Sequence, residues 1–389
     1  MNLSIIILFL IILILYNVQS NIFKTITYTE EYNLGITNNN NIQKFVQLFL
    51  PLTDLKINIK KYSDSTKLLE DVNNNTIDFA ITNEDNLMDS HLGLNSFSSK
   101  KLVHLRFITG LFYNYQYFLT DLFYSDTNKS IYLKDINDIK NFYNIYKRHI
   151  IIGTEESDSD SFMSLIILLY VYGFNPVNIK SKDTSKKYSE NTVFYANYNS
   201  DELFDKFNKN GIDAIYLVNI YNYGKIRDLI NTKDVLFLDV NYNNTIFNDV
   251  FSNYFYKKNI SISNFSEDLD STYTFETKAS RILLICNTNT NKDAVEKLIK
   301  LYYTHNNLII NKLLENDDLN EEHTTFEPLD MAYINKYIKI HSGAYTYMKE
   351  LGFIINDSIK KQITLNNNEN YKHYWKYNKI GLNKFTLIE

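Results

Sequence analysis

Cysteine, proline and glycine are scarce in this chain of 389 residues, which contains 1, 3 and 10 of them. The single cysteine, Cys286, excludes an intramolecular disulfide, so a large apolar core has to stabilise the fold. Cys286 lies in an apolar run, which predicts a buried and unreactive thiol. Asn, Ile, Lys and Tyr are abundant instead, and this bias makes each remaining glycine more informative than each asparagine or tyrosine.

An excess of positive charge is also missing. The chain has 40 basic and 45 acidic residues, with a formal net charge of −5, so it lacks the electrostatic footprint of a nucleic-acid-binding protein. The tail from Tyr371 to Lys384 is locally basic, and we interpret it as a solvated extension. We therefore expect no nucleic-acid partner.

Catalytic motifs are missing as well. The sequence has no Gly-x-Ser-x-Gly elbow, no phosphate-binding loop and no histidine pair at zinc spacing. We predict that the protein is not an enzyme and that it uses no cofactor and no metal.

No apolar run reaches the roughly 20 residues that span a bilayer. The longest one, Ile5–Tyr16, is followed by Val18-Gln19-Ser20 and has the length of a signal-peptide core, although a basic n-region is missing. We predict a signal peptide at residues 1–20 and an extracytoplasmic protein, secreted or periplasmic. An uncleaved N-terminal membrane anchor is the alternative.

Short apolar segments alternate with helical patterns along the rest of the chain, which indicates α/β architecture with mostly parallel sheets. The predicted strands are Lys24–Thr29, Lys56–Tyr62, Ile77–Thr82, His149–Ile152, Val193–Ala196, Ile212–Val218, Val235–Val240 and Arg281–Cys286. Helices are expected between them, with Ser65 as the N-cap of one. The low-complexity run Asn38–Asn41 is predicted to be a loop.

Three segments resemble one known family. Ser63-Asp64-Ser65, followed by Asp-Phe-Ala-Ile-Thr-Asn-Glu-Asp at 78–85, is similar to its Gly-Gly-Ser helix start and the strand after it. Leu105–Phe112 resembles the strand that enters its hinge, and His-Ser-Gly-Ala at 341–344 resembles its closing His-Pro-Gly-Ala motif. On these segments the chain resembles the TAXI-type extracytoplasmic receptors of TRAP transporters.

The resemblance implies a two-lobed periplasmic-binding-protein-like fold, type II-like, with flanking helices and an interlobe cleft. We expect lobe 1 at residues 21–118 plus 255–355, lobe 2 at 119–254 and a C-terminal extension at 356–389. The implied function is capture of a small ligand, an amino acid or dicarboxylate, by hinge closure. The implied partners are that ligand and a membrane transporter subunit or another protein.

The resemblance also implies ligand-binding residues. They are Tyr28 after the first strand, Ser65 at a helix start, Arg106 in the matched strand, and Ser157 and Ser159 in a second helix-entry loop. The alternatives are a core or surface tyrosine, a simple N-cap at Ser65, and an ordinary ion pair at Arg106. His341 is expected to have a structural role at the last helix.

Both ligand loops depart from the family pattern. The stretch Tyr28–Gly35, where similar proteins have a glycine-rich loop, keeps one glycine, and the loop at 153–159 has Glu156 and Asp158 in place of glycines. Three interpretations stay open for this acidic loop: Asp158 as a helix cap with solvated neighbours, a ligand loop that prefers neutral or cationic solutes, and a Ca²⁺ site. The alternative function is a binding-protein scaffold that has lost its ligand and serves as a secreted or surface interaction protein.

Overall fold

The computed structural model describes residues 30–350. The parts of this range that are not described are 99, 122–123, 127–128, 132, 134, 158, 221–223, 241–255, 262–264, 266–273 and 315–337. The signal-peptide prediction, the strand Lys24–Thr29, Tyr28 and the extension at 356–389 therefore lie outside the described residues.

Strands and helices alternate through most of the described chain, so the predicted α/β class is confirmed. The strands are β1 (Glu31–Thr37), β2 (Lys56–Tyr62), β3 (Phe79–Asn83), β4 (Leu105–Thr120), β5 (Tyr124–Asp126), β6 (Lys129–Ile131), β7 (Ile151–Thr154), β8 (Asn175–Asn178), β9 (Thr192–Asn197), β10 (Ala214–Ile220), β11 (Leu236–Phe237), β12 (Tyr256–Ser261) and β13 (Thr274–Asn287). The helices are α1 (Asn40–Phe49), α2 (Ser65–Asn73), α3 (Glu84–Leu92), α4 (Ile139–Tyr146), α5 (Asp160–Val171), α6 (Ser200–Asn208), α7 (Gly224–Thr232), α8 (Lys292–Leu314) and α9 (Ser342–Glu350).

One sheet runs through the molecule, in the order β2-β1-β3-β13-β4-β10-β7-β9-β8, with β11 and β12 paired to β4 and β13. Its two outer parts are parallel, β2-β1-β3 on one side and β10-β7-β9-β8 on the other. The central pairs are antiparallel and join the two outer parts. We call β1–β3 with α1–α3 the first half and β7–β10 with α4–α7 the second half.

The central strands β4 and β13 are unusually long, with 16 and 14 residues. Almost every β4 side chain is buried, as is typical of a strand covered on both faces. Tyr113, Tyr115 and Tyr117 form a row of ring contacts on one face of β4. Phe112 and Phe118 lie on the other face, because successive strand residues point to opposite sides.

The helices begin where a side chain can satisfy their free N–H groups. Asn39 Oδ1 accepts from the backbone N–H groups of Asn41 and Ile42 and so caps α1. The predicted loop at Asn38–Asn41 is therefore wrong over its second half. Asp64, and not Ser65, caps α2 by accepting from Lys67 N at 2.9 Å.

The first strand differs most from the prediction. The resemblance predicts a ligand loop at Tyr28–Gly35, but Glu31–Thr37 is β1, paired with β2 and β3. Tyr32, Leu34 and Ile36 alternate with less buried or smaller neighbours and pack into the core, so this segment has a strand period of two. Gly35 lies inside this strand, and the loop that could face a ligand is Asn38-Asn39.

Two predicted structural residues are confirmed. Cys286 is a buried free thiol. His341 is buried, its Nδ1 accepts from Gly343 N at 3.1 Å, and its carbonyl accepts from the N–H groups of Ala344 and Tyr345, so it organises the start of α9. Within the described residues, no helix combines the length and apolarity that a membrane crossing requires. The lobe boundaries at 118/119 and 254/255 stay a prediction.

Candidate functional site

The carboxyl ends of the two parallel parts of the sheet point towards each other. In the first half, β3 ends at Asn83, whose register partner on β13 is Ile282. In the second half, β10 ends at Ile220, whose register partner on β4 is Asn114. Because Ile282 in turn pairs with Phe112, both ends meet the central strands within about two residues of each other. We call this region, where β3 and β10 meet the middle of β4 and β13, the seam.

Ligands of open α/β sheets bind beyond the carboxyl ends of the strands, at points where the strand order changes direction. The seam combines two such edges. It is therefore the first place in the described fold to look for a binding site.

Asn114 lies in the middle of the seam and is 1% exposed. Neither its Nδ2 nor its Oδ1 has a hydrogen-bond partner among the described residues. A buried amide without partners costs free energy, about 1–3 kcal/mol for each unsatisfied group. Such a group is expected where a polar molecule completes the site.

Two helices enclose the face of β4 on which Asn114 lies. Two residues before it, Phe112 contacts the ring of Phe45 in α1 at 5.7 Å between centroids. Four residues after it, Phe118 belongs to the cluster that α5 covers and contacts Tyr216 edge-on. Asn114 therefore lies between α1 and α5.

The N-termini of α1 and α5 approach each other across the seam. Asn39 Nδ2 donates to Asp160 Oδ2 at 3.2 Å, and Asn41 Nδ2 donates to Asn219 Oδ1 at 2.9 Å. These two side-chain hydrogen bonds join the first half directly to the second half.

Thr154 and Ser161 lie in the second half, where β7 ends and α5 begins. Thr154, the last residue of β7, is fully buried, and its Oγ1 has no partner among the described residues. Ser161 Oγ donates to Glu155 Oε2 at 2.5 Å and accepts from Val218 N at 2.9 Å, which ties the first turn of α5 to β10. Asn197 Nδ2 holds the Glu155 carbonyl at 2.8 Å.

Asp85 lies in the first turn of α3, directly after the end of β3. Its Oδ1 is enclosed and accepts no hydrogen bond from the described residues. Burial, and after it the negative charges of Asp160 and Asp89, raise the pKa of Asp85 to about 7. Burial also raises the pKa of Glu155.

Glu84, the residue before Asp85, forms a buried ion pair with Arg281. Arg281 Nε donates to Glu84 Oε2 at 2.5 Å and Arg281 Nη2 donates to Glu84 Oε1 at 2.9 Å, with both side chains fully buried. This bidentate pair joins α3 to β13 and fixes where α3 begins. The positive charge of Arg281 is therefore compensated by Glu84.

The sequence-predicted site residues are spread over the molecule. Ser159 caps α5, its Oγ accepting from Phe162 N at 3.1 Å, so it rather than Asp158 is the N-cap. Ser157 is exposed in the turn before it. Ser65 lies in the first turn of α2, partly exposed, at the edge of the sheet where β1–β3 end.

Arg106 is the second residue of β4, near the N-terminal end of the strand. It is eight residues from Asn114, about 25 Å along a strand, and its Nη1 donates to the carbonyls of Val103 and Leu105. Its role as a ligand contact stays a prediction, and the structure does not bring it near the seam. No group of three or more His, Cys, Asp or Glu side chains in the described part of the chain is arranged to hold a metal ion.

Sequence reasoning missed Asn83, Asp85, Asn114 and Thr154. A signal for Asn114 was present: Phe-Tyr-Asn-Tyr-Gln-Tyr at 112–117 places amides on one face of an otherwise apolar strand. Asn83 and Asp85 belong to a segment that matched the family, but their side chains were not singled out.

Comparison with known proteins decides the family. A family model described as NMT1-like matches residues 40–352, most of the chain. The chain belongs to the NMT1-like family. The match includes α1, β4, β13 and α9, and therefore the whole seam. None of the curated proteins compared with the chain matches it.

Solved structures similar to this member of the NMT1-like family include XAC2383 from Xanthomonas citri bound to chloride ion, at 10% identity and a TM-score of 0.44, over 82% of this chain and 99% of that one. The periplasmic aliphatic sulphonate binding protein SsuA from Escherichia coli is 11% identical, with a TM-score of 0.36 over 83% and 93%. Substrate-binding domain 2 of GlnP from Lactococcus lactis is 10% identical, with a TM-score of 0.36 over 74% and 97%. Similarity at this level carries no information about a ligand of this chain.

Proposed function

We propose that this protein is an exported solute-binding protein that captures a small polar molecule at the seam. The observation that carries the proposal is Asn114, a fully buried amide with neither atom partnered among the described residues. Such a group in the core of a sheet lowers the stability of the fold unless a ligand uses it.

Membership of the NMT1-like family supports a binding protein rather than an enzyme. The sequence resemblance is finer and favours a TAXI-type receptor, whose solute is an amino acid or dicarboxylate and whose partner is a membrane transporter subunit. In this proposal the two lobes, 21–118 plus 255–355 and 119–254, close on the solute, and the N-terminal 20 residues direct export.

The contacts between Asn39 and Asp160 and between Asn41 and Asn219 fit this proposal, because they join the two halves at the entrance to the seam. Closure of two halves around a solute requires contacts that form in one state and break in the other. Each of these hydrogen bonds includes a partly exposed side chain, Asn39 or Asn41, that can exchange its partner for water at low cost.

The test is a thermal-shift screen of the full chain against amino acids, dicarboxylates, polyamines and Ca²⁺. A solute at about 100 times its dissociation constant stabilises the folded state by about 2.7 kcal/mol, a shift of several degrees. Asn114→Leu should abolish the shift without lowering the melting temperature of the ligand-free protein, because Asn114 makes no hydrogen bond to lose.

Asn287→Leu is the matched control. Asn287 is equally buried, but its Nδ2 donates to the carbonyls of Val72 and Asn73, so this variant should melt lower and still bind. A complete absence of shifts would support the alternative, an interaction protein built on a binding-protein scaffold.

A further inference from the structure

The first turns of two helices at the seam already contain carboxylates. Asp85 lies in the first turn of α3 and Asp160 in the first turn of α5. A helix N-terminus attracts negative charge, and here the protein's own side chains occupy that favourable position. An anionic solute would have to approach these groups and be repelled by them.

Asp85 and Asp160 act on each other from opposite halves of the molecule. The charge of Asp160 contributes, after burial, to the raised pKa of Asp85. A positive group that lies near both carboxylates would favour the ionised form of Asp85. Asp160 is held in place by Asn39 Nδ2, which leaves its other oxygen to accept from a ligand.

The basic groups near the seam are already engaged. Arg281 forms its bidentate pair with Glu84, and Lys225 Nζ pairs with Asp201 Oδ1 at 2.5 Å. Lys278, buried on β13, has contacts of its own. The charges that act on Asp85 are those of three carboxylates, Asp160, Asp89 and Glu84.

Neutral polar atoms complete the site. Thr154 lies on the face of β7 that α5 covers, because Ile152, two residues earlier, packs in one cluster with Leu165 of α5. Its hydroxyl and the amide of Asn114 are both fully buried and have no partner among the described residues. The strand register places Thr154 level with Phe118, on the far side of β10 from β4, so of the two only Asn114 lies within the seam. They are independent of the acidic pair, and both call for a polar partner.

We propose that the solute carries a cationic group, an ammonium or a guanidinium, which lies between the carboxylates of Asp85 and Asp160. Asn114 binds its neutral polar part. This inference rests on the proposed solute binding and specifies it: a basic amino acid or a polyamine fits the seam, whereas a dicarboxylate does not.

The affinity for such a solute should rise with pH. Asp85 has to be ionised to bind a cation, and Glu84, Asp89 and Asp160 are the carboxylates that act on it. With a pKa of about 7, Asp85 is ionised in roughly one molecule in ten at about pH 6 and in most molecules at about pH 8, so the affinity should increase about tenfold.

Isothermal titration calorimetry on the full chain tests the proposal. The probes are L-arginine, L-lysine and putrescine, with L-glutamate, L-glutamine and succinate for comparison. L-Citrulline, which replaces the guanidinium of arginine by a neutral group of similar shape, isolates the contribution of the charge. We expect L-arginine or another cation to bind, and L-citrulline to bind at least about tenfold more weakly than L-arginine.

Asp85→Asn and Asp160→Asn should each weaken cation binding by about tenfold or more. Asp54→Asn is the matched control in the first half, because Asp54 is exposed and, among the described residues, pairs only with Lys297, at 3.3 Å. This variant should leave the affinity unchanged. If either seam variant fails to fold, the comparison of L-arginine with L-citrulline still shows whether the positive charge of the solute contributes to binding.

The outcomes separate the two proposals. Tighter binding of L-glutamate or succinate than of any cation, or unchanged cation binding in both seam variants, overturns the cationic solute and leaves solute binding intact. Binding of none of the probes removes the support for solute capture itself.

Discussion

At the scale of single residues, Asp85 links the site to stability. Its pKa in the folded protein is raised to about 7, whereas an unfolded aspartate titrates near 4. Between these values the folded state binds more protons than the unfolded state, so the free energy of unfolding falls as pH rises from about 4 to about 7. A three-unit difference corresponds to a loss on the order of 4 kcal/mol at most.

Asp85→Asn should remove much of this dependence. We expect the variant to be more stable than the wild type at about pH 8 and similar to it at about pH 4, because it removes the enclosed charge and keeps the shape. Urea denaturation at both pH values measures the difference. The raised pKa of Glu155 leaves a smaller slope of the same sign, and an unchanged slope in Asp85→Asn would show that Asp85 titrates normally.

At the scale of elements, the joint between α8 and α9 depends on Gly343. A Cβ at this position would lie 2.3 Å from the carbonyl oxygen of Lys292 and 2.9 Å from Cβ of Val295. Backbone cannot yield as a flexible side chain does, so Gly343→Ala should force α9 away from α8. We expect a loss of about 2–3 kcal/mol in the free energy of unfolding.

Gly173→Ala provides the comparison. Gly173 follows α5 with a φ of +78°, and a Cβ there would meet no atom within 4 Å. Its substitution carries only the backbone cost of a left-handed conformation, about 1 kcal/mol. A larger loss in Gly173→Ala than in Gly343→Ala, measured by chemical denaturation, would contradict this account of the α8–α9 joint.

The positions of strands and helices could be predicted where the hydrophobic pattern of the sequence has a clear period. Lys56–Tyr62 is a strand with the predicted bounds, and the predicted strands in the second half lie within about two residues of β7, β9 and β10. The prediction for β1 is wrong because the first strand is placed at Lys24–Thr29 and the resemblance assigns Tyr28–Gly35 to a ligand loop. The 16-residue length of β4 was missed because tyrosine, with 32 copies in the chain, was given little weight as an apolar residue.

The site was less predictable than the fold. Asn114 needs a partner only because β4 is buried on both faces, and Asp85 matters only because the charge of Asp160, in the other half, acts on it where α3 begins. Both facts depend on how β3 and β10 meet the central strands, and this pairing joins residues more than 100 positions apart. Local sequence patterns cannot supply such a pairing.

At the scale of the whole molecule, the apolar core passes from one half to the other. A single cluster contains Leu68 and Phe79 of the first half, Tyr117 of β4, and Leu203 and Phe207 of the second half. The long strands β4 and β13 are common to both halves. Unfolding of one half would also disrupt β4 and β13, on which the other half depends. We therefore expect one cooperative unfolding transition.

Circular dichroism and tyrosine fluorescence can check this during urea denaturation. Coincident curves from the two probes are expected. Two separated transitions would mean that the halves fold independently and that the shared cluster contributes little to their coupling.

The central claim is that a small solute binds at the seam, and amide hydrogen exchange with mass spectrometry tests it most directly. The full chain is compared with and without L-arginine, and with L-glutamate as a second probe. The account predicts slower exchange in peptides that contain Asp85, Asn114 and Asp160 when L-arginine is present, because the solute joins the two halves there. Protection confined to segments away from the seam, or none with either probe, would contradict it.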